Sequence, residues 1–434
     1  MTINLKNFLN DKRKMSRMGE FQELKTIDGL EISSVSADLY ENGRDDLTLF
    51  YFRESANYAL VQTTSTIVSE SIRWNEKSNK KSIKALIVNT KNANTFTGKK
   101  GLESLDEVAK NLSKTLTIRE SKSEEGIDET IKIKDILFAS TGVIGEKFPV
   151  DKINQTIESL VDKLRPDQNK LIWVKAASAI MTTDTKPKLA FEEFTVGNKI
   201  IRIAGIAKGS GMIAPNLATM LSFIFTDVDL PSSILRSLLK RVVPNSFNAI
   251  TVDGDQSTND MVGIFSTKKV KIGQNRNITD PIIQKFELAL KRLTLNLAKQ
   301  IVVDGEGAKK FITVKISNAK SMICARKIAF SIANSPLIKT AVAGEDPNWG
   351  RIVMGIGKSG ENIDYNKLVI KLGETVVAEN GKISDDYDEK KLKEYMEWDS
   401  VLIEVDLNQG NEIFECYTCD FTHDYIDINA DYRN

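Results

Sequence analysis

A single histidine, His423, serves a chain of 434 residues, and three cysteines, Cys324, Cys416 and Cys419, complete its stock of soft metal ligands. With one histidine, a serine-histidine-acid triad has no choice of base, and His423 lies in THDY, where an aromatic neighbour makes a structural role the default. Three cysteines cannot all pair within one chain, so disulfides are not the framework and a reducing compartment is expected. Cys416, Cys419 and His423 spell C-x2-C-x3-H, three ligands at most, and in a run that alternates like a strand the two cysteines face opposite ways, which argues against zinc. Excess charge is lacking too: 60 Lys and Arg against 59 Asp and Glu give a net charge of +1 and no basic surface for nucleic acid. The amino-terminal MTINLKNFLNDKRKMSRM mixes charges into its few apolar residues and has neither a signal-peptide core nor a membrane span, so a soluble, cytoplasmic protein is expected. GIGKSGEN contains GKS, but Ile352 stands where a phosphate loop needs its first glycine.

What is present is a large mixed α and β chain. It exceeds the roughly 250 to 300 residues at which one hydrophobic core stops growing, so two lobes are expected. Short β-branched or apolar runs bounded by turn residues predict strands at 84–90, 135–140, 199–206, 219–229, 311–317, 368–373 and 400–407. Helical spacing appears at Ile153, Ile157, Leu160, Val161 and Leu164 after Pro149, at 232–243, and at 280–301. The charged stretch 120–129 reads as a connector, and 379–397 as a polar stretch with a surface helix.

Between these elements lie segments rich in Asn, Asp, Thr and Gly: NTKNANTFTG (89–98), STGVIGE (140–146), MTTDTKPK (181–188), KGSGMIAPNLATML (208–221), NSFNAITVDGDQSTND (245–260), GEGAKK (305–310), GEDPNWGR (344–351) and INADYRN (428–434). Each alone reads as a turn. Together they hold too many hydroxyls and amides for solvent-facing loops alone.

ALIVN and NANTFTG, STGVIGE, MTTDT, the 208–221 segment, ITVDGDQSTND, DPNWGRI, and TCD with THDY and INADYR, in this order from about residue 20 to the carboxyl end, resemble the ornithine acetyltransferase family, the glutamate N-acetyltransferases of arginine biosynthesis. That family's proenzymes cut themselves before a threonine in a KGxGMIAPxxATM segment. The resemblance implies a cut between Ala218 and Thr219. Thr219 would attack its own preceding carbonyl, an N-to-O acyl shift would follow, and hydrolysis would leave a new amino terminus. A threonine hydroxyl is a poor nucleophile, and the freed α-amine, with a pKa of about 7.7 to 8.0, is a base within reach.

Further roles are carried over by the same resemblance. Thr141 and Gly142 match the oxyanion hole, a hydroxyl and a backbone N–H aimed at the tetrahedral oxygen. Thr182, Lys208, Glu306 and Asn429 match substrate contacts: an ammonium suits the carboxylate of N-acetylglutamate or N-acetylornithine, and a carboxylate suits the ornithine amines. Asn434 stands where the family closes with threonine or serine, and Lys91 where glycine is common, so a different loop geometry is expected at Lys91.

The implied fold class is α+β, two stacked sheets flanked by helices in an αββα-like sandwich. The amino-terminal chain, 1–218, and the carboxyl-terminal chain, 219–434, would interleave in one core, two of each forming a heterotetramer. The implied reaction passes an acetyl group from N-acetylornithine through Thr219 to glutamate, releasing ornithine and forming N-acetylglutamate, with no metal or cofactor. Acetyl-CoA as a second donor stays open. A hydrolase of the related self-cleaving aminopeptidase group is the alternative reading, sharing the nucleophile but passing the acyl group to water.

Overall fold

The computed structural model describes residues 23–78, 81–122, 130–214, 220–273 and 276–431. The amino-terminal stretch read above lies outside them, as does most of the charged stretch 120–129. The amino-terminal strands are β1 (Leu30–Val35), β2 (Leu47–Gln62), β3 (Ser82–Asn89), β4 (Ile136–Ser140), β5 (Lys188–Val196), β6 (Lys199–Lys208), β7 (Leu221–Val228) and β8 (Met261–Val270). Interspersed are helices α1 (Glu70–Glu76), α2 (Gly98–Ser121), α3 (Val150–Asp162), α4 (Lys170–Ala179), α5 (Ser232–Val242) and α6 (Pro281–Val303).

The eight strands hydrogen-bond in the order β4-β3-β2-β8-β7-β6-β5, with β1 paired to β2. This one sheet folds over on itself along β2. The first half of β2 pairs with β1 and its second half, Asn57–Gln62, with β8, while the β2–β3 register shifts between Tyr51 and Ala56. Two layers result, and side-chain parity sorts each strand between a shared interior and an outer face. Phe50, Phe52, Leu86, Val88 and Leu137 of one layer meet Leu189, Ile206, Phe223, Phe225 and Phe265 of the other. Phe50 and Phe225 lie 4.8 Å apart between ring centroids, and Trp173 of α4 closes the end of this core. The opposite parity of β2 to β4 packs on α2 and α3 through Leu49, Ile87 and Phe138. That of β6 to β8 packs on α5 and α6 through Ile203, Ile224 and Ile264. The layering is therefore helices, sheet, sheet, helices, the sandwich the resemblance implied.

A second unit follows. It holds β9 (Phe311–Ala319), α7 (Met322–Ala333), α8 (Pro336–Ala343), α9 (Trp349–Gly357), β10 (Val369–Leu372), β11 (Thr375–Glu379), β12 (Lys382–Ile383), α10 (Glu389–Met396), β13 (Ser400–Asp406) and β14 (Glu412–Cys419), with α11 (His423–Ala430) after it. Its sheet runs β12-β11-β10-β13-β9-β14, and its own core gathers Val314 of β9 with Ile328, Ile403 and Cys416. β14 joins the two units: Cys416 faces this core while Cys419, three residues on, faces the core of the sandwich. The opposed orientation read from the sequence holds, and it keeps the two thiols from sharing a metal.

All the predicted strands and helices are found, with ends shifted by a few residues; 219–229 is described from Leu221 onward as a strand. The connector assigned to 120–129 needs correction at its start. Glu120 belongs to the last turn of α2 and is buried, beside Arg119 at 3.5 Å. Among the described residues no helix is long and apolar enough to cross a membrane.

Candidate active site

Strand ends and loops from both layers of the sandwich converge on a cavity of about 110 Å³. Thr141, Gly142, Thr182, Lys208, Glu306 and Asn429 all line it, so the described residues assigned from the resemblance are brought together. Ala218, Thr219 and Asn434 lie outside the described residues.

Thr141 and Gly142 follow the last residue of β4. Gly142 has φ +135°, and a Cβ there would fall 2.1 Å from the carbonyl carbon of Lys91, so only glycine fits. Its N–H donates to no backbone group among the described residues and is free for a ligand. Lys91 corrects one expectation: its φ is +70°, so it takes up the left-handed turn itself, with its ammonium 5.6 Å from the centre of the Tyr40 ring. The loop keeps its course because Lys91 O accepts Val143 N–H at 2.9 Å.

Parts of the amide- and hydroxyl-rich segments 89–98, 140–146 and 245–260 form buried scaffolding. Asn259 donates to Ala93 O at 2.6 Å and to Ser140 O at 2.8 Å, and accepts from Thr95 at 2.8 Å. Ser140 donates to Asn89 at 2.7 Å. These bonds satisfy backbone groups that would otherwise be stranded where β3 and β4 end beneath the cavity.

Lys208, the last residue of β6, is 2% exposed. Its ammonium donates to Thr182 Oγ1 at 2.9 Å and Thr141 Oγ1 at 3.4 Å. With the Thr141 oxygen accepting, its hydroxyl hydrogen can turn toward the cavity. Burial pulls the Lys208 pKa down, Asp184 opposes this, and the net value lies below that of an ordinary lysine.

Asp184, quoted in MTTDT but given no role, organises this corner. Its Oδ1 accepts from Lys188 Nζ and from Gly209 N, both at 2.6 Å; its Oδ2 accepts Thr182 N at 3.0 Å and lies 4.0 Å from Lys208 Nζ. Burial alone would push this carboxyl up, but Lys188 and then Lys208 hold it below the usual carboxylate range. Asp304 takes the other side of Lys188 at 2.7 Å.

Opposite, Glu306 accepts from Asn429 Nδ2 at 2.7 Å, and its N–H donates to Ser210 O at 2.9 Å. Gly211 makes room for it, since a Cβ there would lie 2.3 Å from the Glu306 carboxyl carbon. Two further acids from ITVDGDQSTND, also unassigned in the sequence, hold the chain on either side of 215–219. Asp253 accepts from Met212 N at 2.5 Å and Ile213 N at 2.9 Å, and Asp260 accepts from Met220 N at 2.7 Å. Asp260 is fully buried, which pushes its pKa well above the usual range against the pull of Met220 N–H and Lys208. Its Oδ2 has no hydrogen-bond partner among the described residues. The signal for all three acids is their place in segments already singled out; acids in Gly- and Thr-rich stretches otherwise read as turn formers. His423 opens α11 and is exposed.

A family model described as the ArgJ family matches residues 31–434. The chain is 41% identical over 413 residues to the arginine biosynthesis bifunctional protein ArgJ of Gluconobacter oxydans (strain 621H), covering 95% of this chain and 93% of that one. Over 417 residues it is 41% identical to the protein of the same name from Bartonella quintana (strain Toulouse), covering 95% and 97%. Among solved structures it is similar to argJ from Bacillus halodurans, with 37% identity, a TM-score of 0.45, and coverage of 49% of this chain and 99% of that one.

Proposed function

The chain belongs to the ArgJ family, and from that premise we propose that it cuts itself between Ala218 and Thr219 and then carries an acetyl group on Thr219 from N2-acetylornithine to glutamate. One observation carries this reading. Thr141, Gly142, Thr182, Lys208, Glu306 and Asn429, from separate parts of the sequence, line a single cavity. Leu221 is the cross-strand partner of Lys208, so the chain that leads into β7 from Thr219 comes from the cavity end of the sheet.

Each residue then has a task. Lys208 presents a charge to the substrate carboxylate, with Thr182 fixing its direction. Glu306, oriented by Asn429, faces the amines of the ornithine moiety. The Thr219 hydroxyl attacks the acetyl carbonyl, its α-amine takes the proton, and the oxyanion receives the Gly142 N–H and the Thr141 hydroxyl. Ornithine leaves, glutamate enters, and its amine attacks the acetyl ester to give N-acetylglutamate. Asn434 is assigned a terminal substrate contact. No metal or cofactor is assigned to the cycle.

The name the relatives share, bifunctional, supports a second reaction at the same site, acetylation of glutamate from acetyl-CoA. The aminopeptidase-type alternative is not favoured, because relatives at 41% identity over 95% of the chain are arginine-biosynthesis proteins. The proposed assembly is two amino-terminal and two carboxyl-terminal chains, in the cytoplasm. A Thr219→Ala variant tests the core of the proposal: it should remain one chain of 48.4 kDa with no transfer activity. Native protein incubated with N-acetylornithine alone should release one ornithine per site in a burst and carry one acetyl group on the peptide that begins at Thr219. A native protein that stays uncut yet turns over normally refutes the mechanism.

A further inference from the structure

Lys208 is a cation in a place hostile to cations. It is 2% exposed, its two hydrogen bonds go to neutral hydroxyls, and among the described residues no carboxylate oxygen lies closer to it than Asp184 Oδ2 at 4.0 Å. That separation is short enough to stabilise the ammonium and too long to occupy it, so its donors stay available to an incoming carboxylate. Asp184 is held at this distance by four contacts: Lys188 Nζ, Gly209 N–H, Thr182 N–H, and the ammonium of Lys208 itself. Two of these belong to Thr182, which lines the cavity and accepts from Lys208, and Gly209, which follows Lys208 in the chain. Lys188 is in turn braced by Asp304, which also accepts from Thr185 N at 2.9 Å and Lys186 N at 3.2 Å.

We propose that Asp184 is a positioning residue for substrate binding: it keeps Lys208 charged, fixes Thr182 beside it, and by staying out of hydrogen-bond contact leaves the ammonium free for a substrate carboxylate. This rests on the proposed role of Lys208 as the carboxylate-binding group. The other charged groups that face Lys208 are Lys188, Asp260 and Glu306. Lys188 works against the charge on Lys208, and buried Asp260 favours its protonated form. Asp184 is the strongest support of the three acids, and its removal leaves burial, already the larger effect, less opposed.

The test is the pH profile of kcat/KM for N-acetylornithine, measured with native protein, Asp184→Asn and Asp304→Asn. In D184N the alkaline limb assigned to Lys208 should move to lower pH by about 1 to 3 units, the range for an opposite charge at this separation, and KM should rise more than kcat falls. D304N removes a carboxylate that touches Lys188 but not Lys208, so it should lose stability while its limb stays in place. If D184N does not fold, Asp184→Glu carries the test: the charge is kept while the bond to Thr182 N–H is displaced, so KM should rise with the limb unmoved. A D184N limb that matches the native one, or a D304N limb that moves as far, overturns the inference, as does a D184E limb that moves. Native protein separates the two levels. If it transfers no acetyl group, the proposed function fails; if it transfers normally and the D184N limb is unmoved, only the role of Asp184 fails.

Discussion

Replacing Gly142 with alanine adds one methyl group at the point where backbone and proposed chemistry meet. The new Cβ would lie 2.1 Å from Lys91 C, 2.3 Å from Lys91 O and 2.5 Å from Asn92 N. These are backbone atoms, so no side chain can swing aside, and the contacts demand a shift of more than about 1 Å to reach ordinary van der Waals separation. The φ of +135° adds strain of about 1 to 3 kcal/mol for a residue with a Cβ. Relief moves Gly142, which lines the cavity, away from Lys91 and so displaces its N–H from the position proposed for the oxyanion donor. Loss of one oxyanion donor raises the barrier by about 2.7 to 4 kcal/mol, which is about 10²- to 10³-fold in kcat. The assay is acetyl transfer from N-acetylornithine to glutamate, with thermal unfolding measured in parallel. Thr141→Val, which removes the hydroxyl without adding bulk, should reproduce the loss of kcat with little loss of stability. G142A turning over within about threefold of native would refute the assignment of its N–H to the oxyanion.

Glu306→Gln keeps a partner for Asn429 but removes the charge, so KM for N-acetylornithine should rise more than kcat falls in steady-state kinetics. Lys188→Met leaves Asp184 and Asp304 buried without their shared cation, at a cost of about 3 to 5 kcal/mol that calorimetry should register as a lowered Tm. Asp227, buried at the end of β7, has its pKa raised by burial to about 6, partly offset by the Arg202 N–H it accepts. The folded state therefore holds this proton where the unfolded chain releases it, so stability from this group falls as pH rises from about 4 to about 6 and is level above. Asp227→Asn should gain in Tm over native across that window, by the equivalent of roughly 3 kcal/mol; a constant difference from about pH 4 to 7 would refute the assignment.

The fold is legible where the apolar pattern is unbroken. β7 stands out because a strand covered on both faces needs apolar residues at consecutive positions, and β9 because its apolar residues alternate with polar ones along a half-buried strand. β2 escapes the same reading because Arg53, Glu54 and Ser55 interrupt it, and a polar triplet inside an apolar run looks like its end. In the structure that triplet is where the strand passes from one layer to the other, with Ser55 at φ +65°. α2 escapes as well, although Leu105, Val108, Ala109, Leu112 and Leu116 follow helical spacing; its many lysines and its charged carboxyl end give it the look of a connector. Those of the residues assigned by resemblance that are described, Thr141, Gly142, Thr182, Lys208, Glu306 and Asn429, line one cavity, but resemblance supplies contacts and not their supports. Asp184, Asp253 and Asp260 act by accepting backbone N–H groups, and that use of an acid leaves no spacing by which a sequence could reveal it.

The order of strands in the sandwich bears on when the chain can be cut. β7 lies between β6 and β8, and it is joined to β6 by the stretch that contains the proposed cut. While that link is intact, β6 meets β7 as part of the same molecule, at an effective concentration in the millimolar range. After the cut the encounter is between two molecules, at whatever dilution the cell or the test tube provides. In the cut protein proposed above, both ladders of β7 would hold the pair together, but once pulled apart it would have lost its tether. Under the proposed cut, assembly therefore comes first and scission second, and chemical unfolding of cut protein should reverse poorly and in a concentration-dependent way, whereas the uncut T219A chain should refold alone.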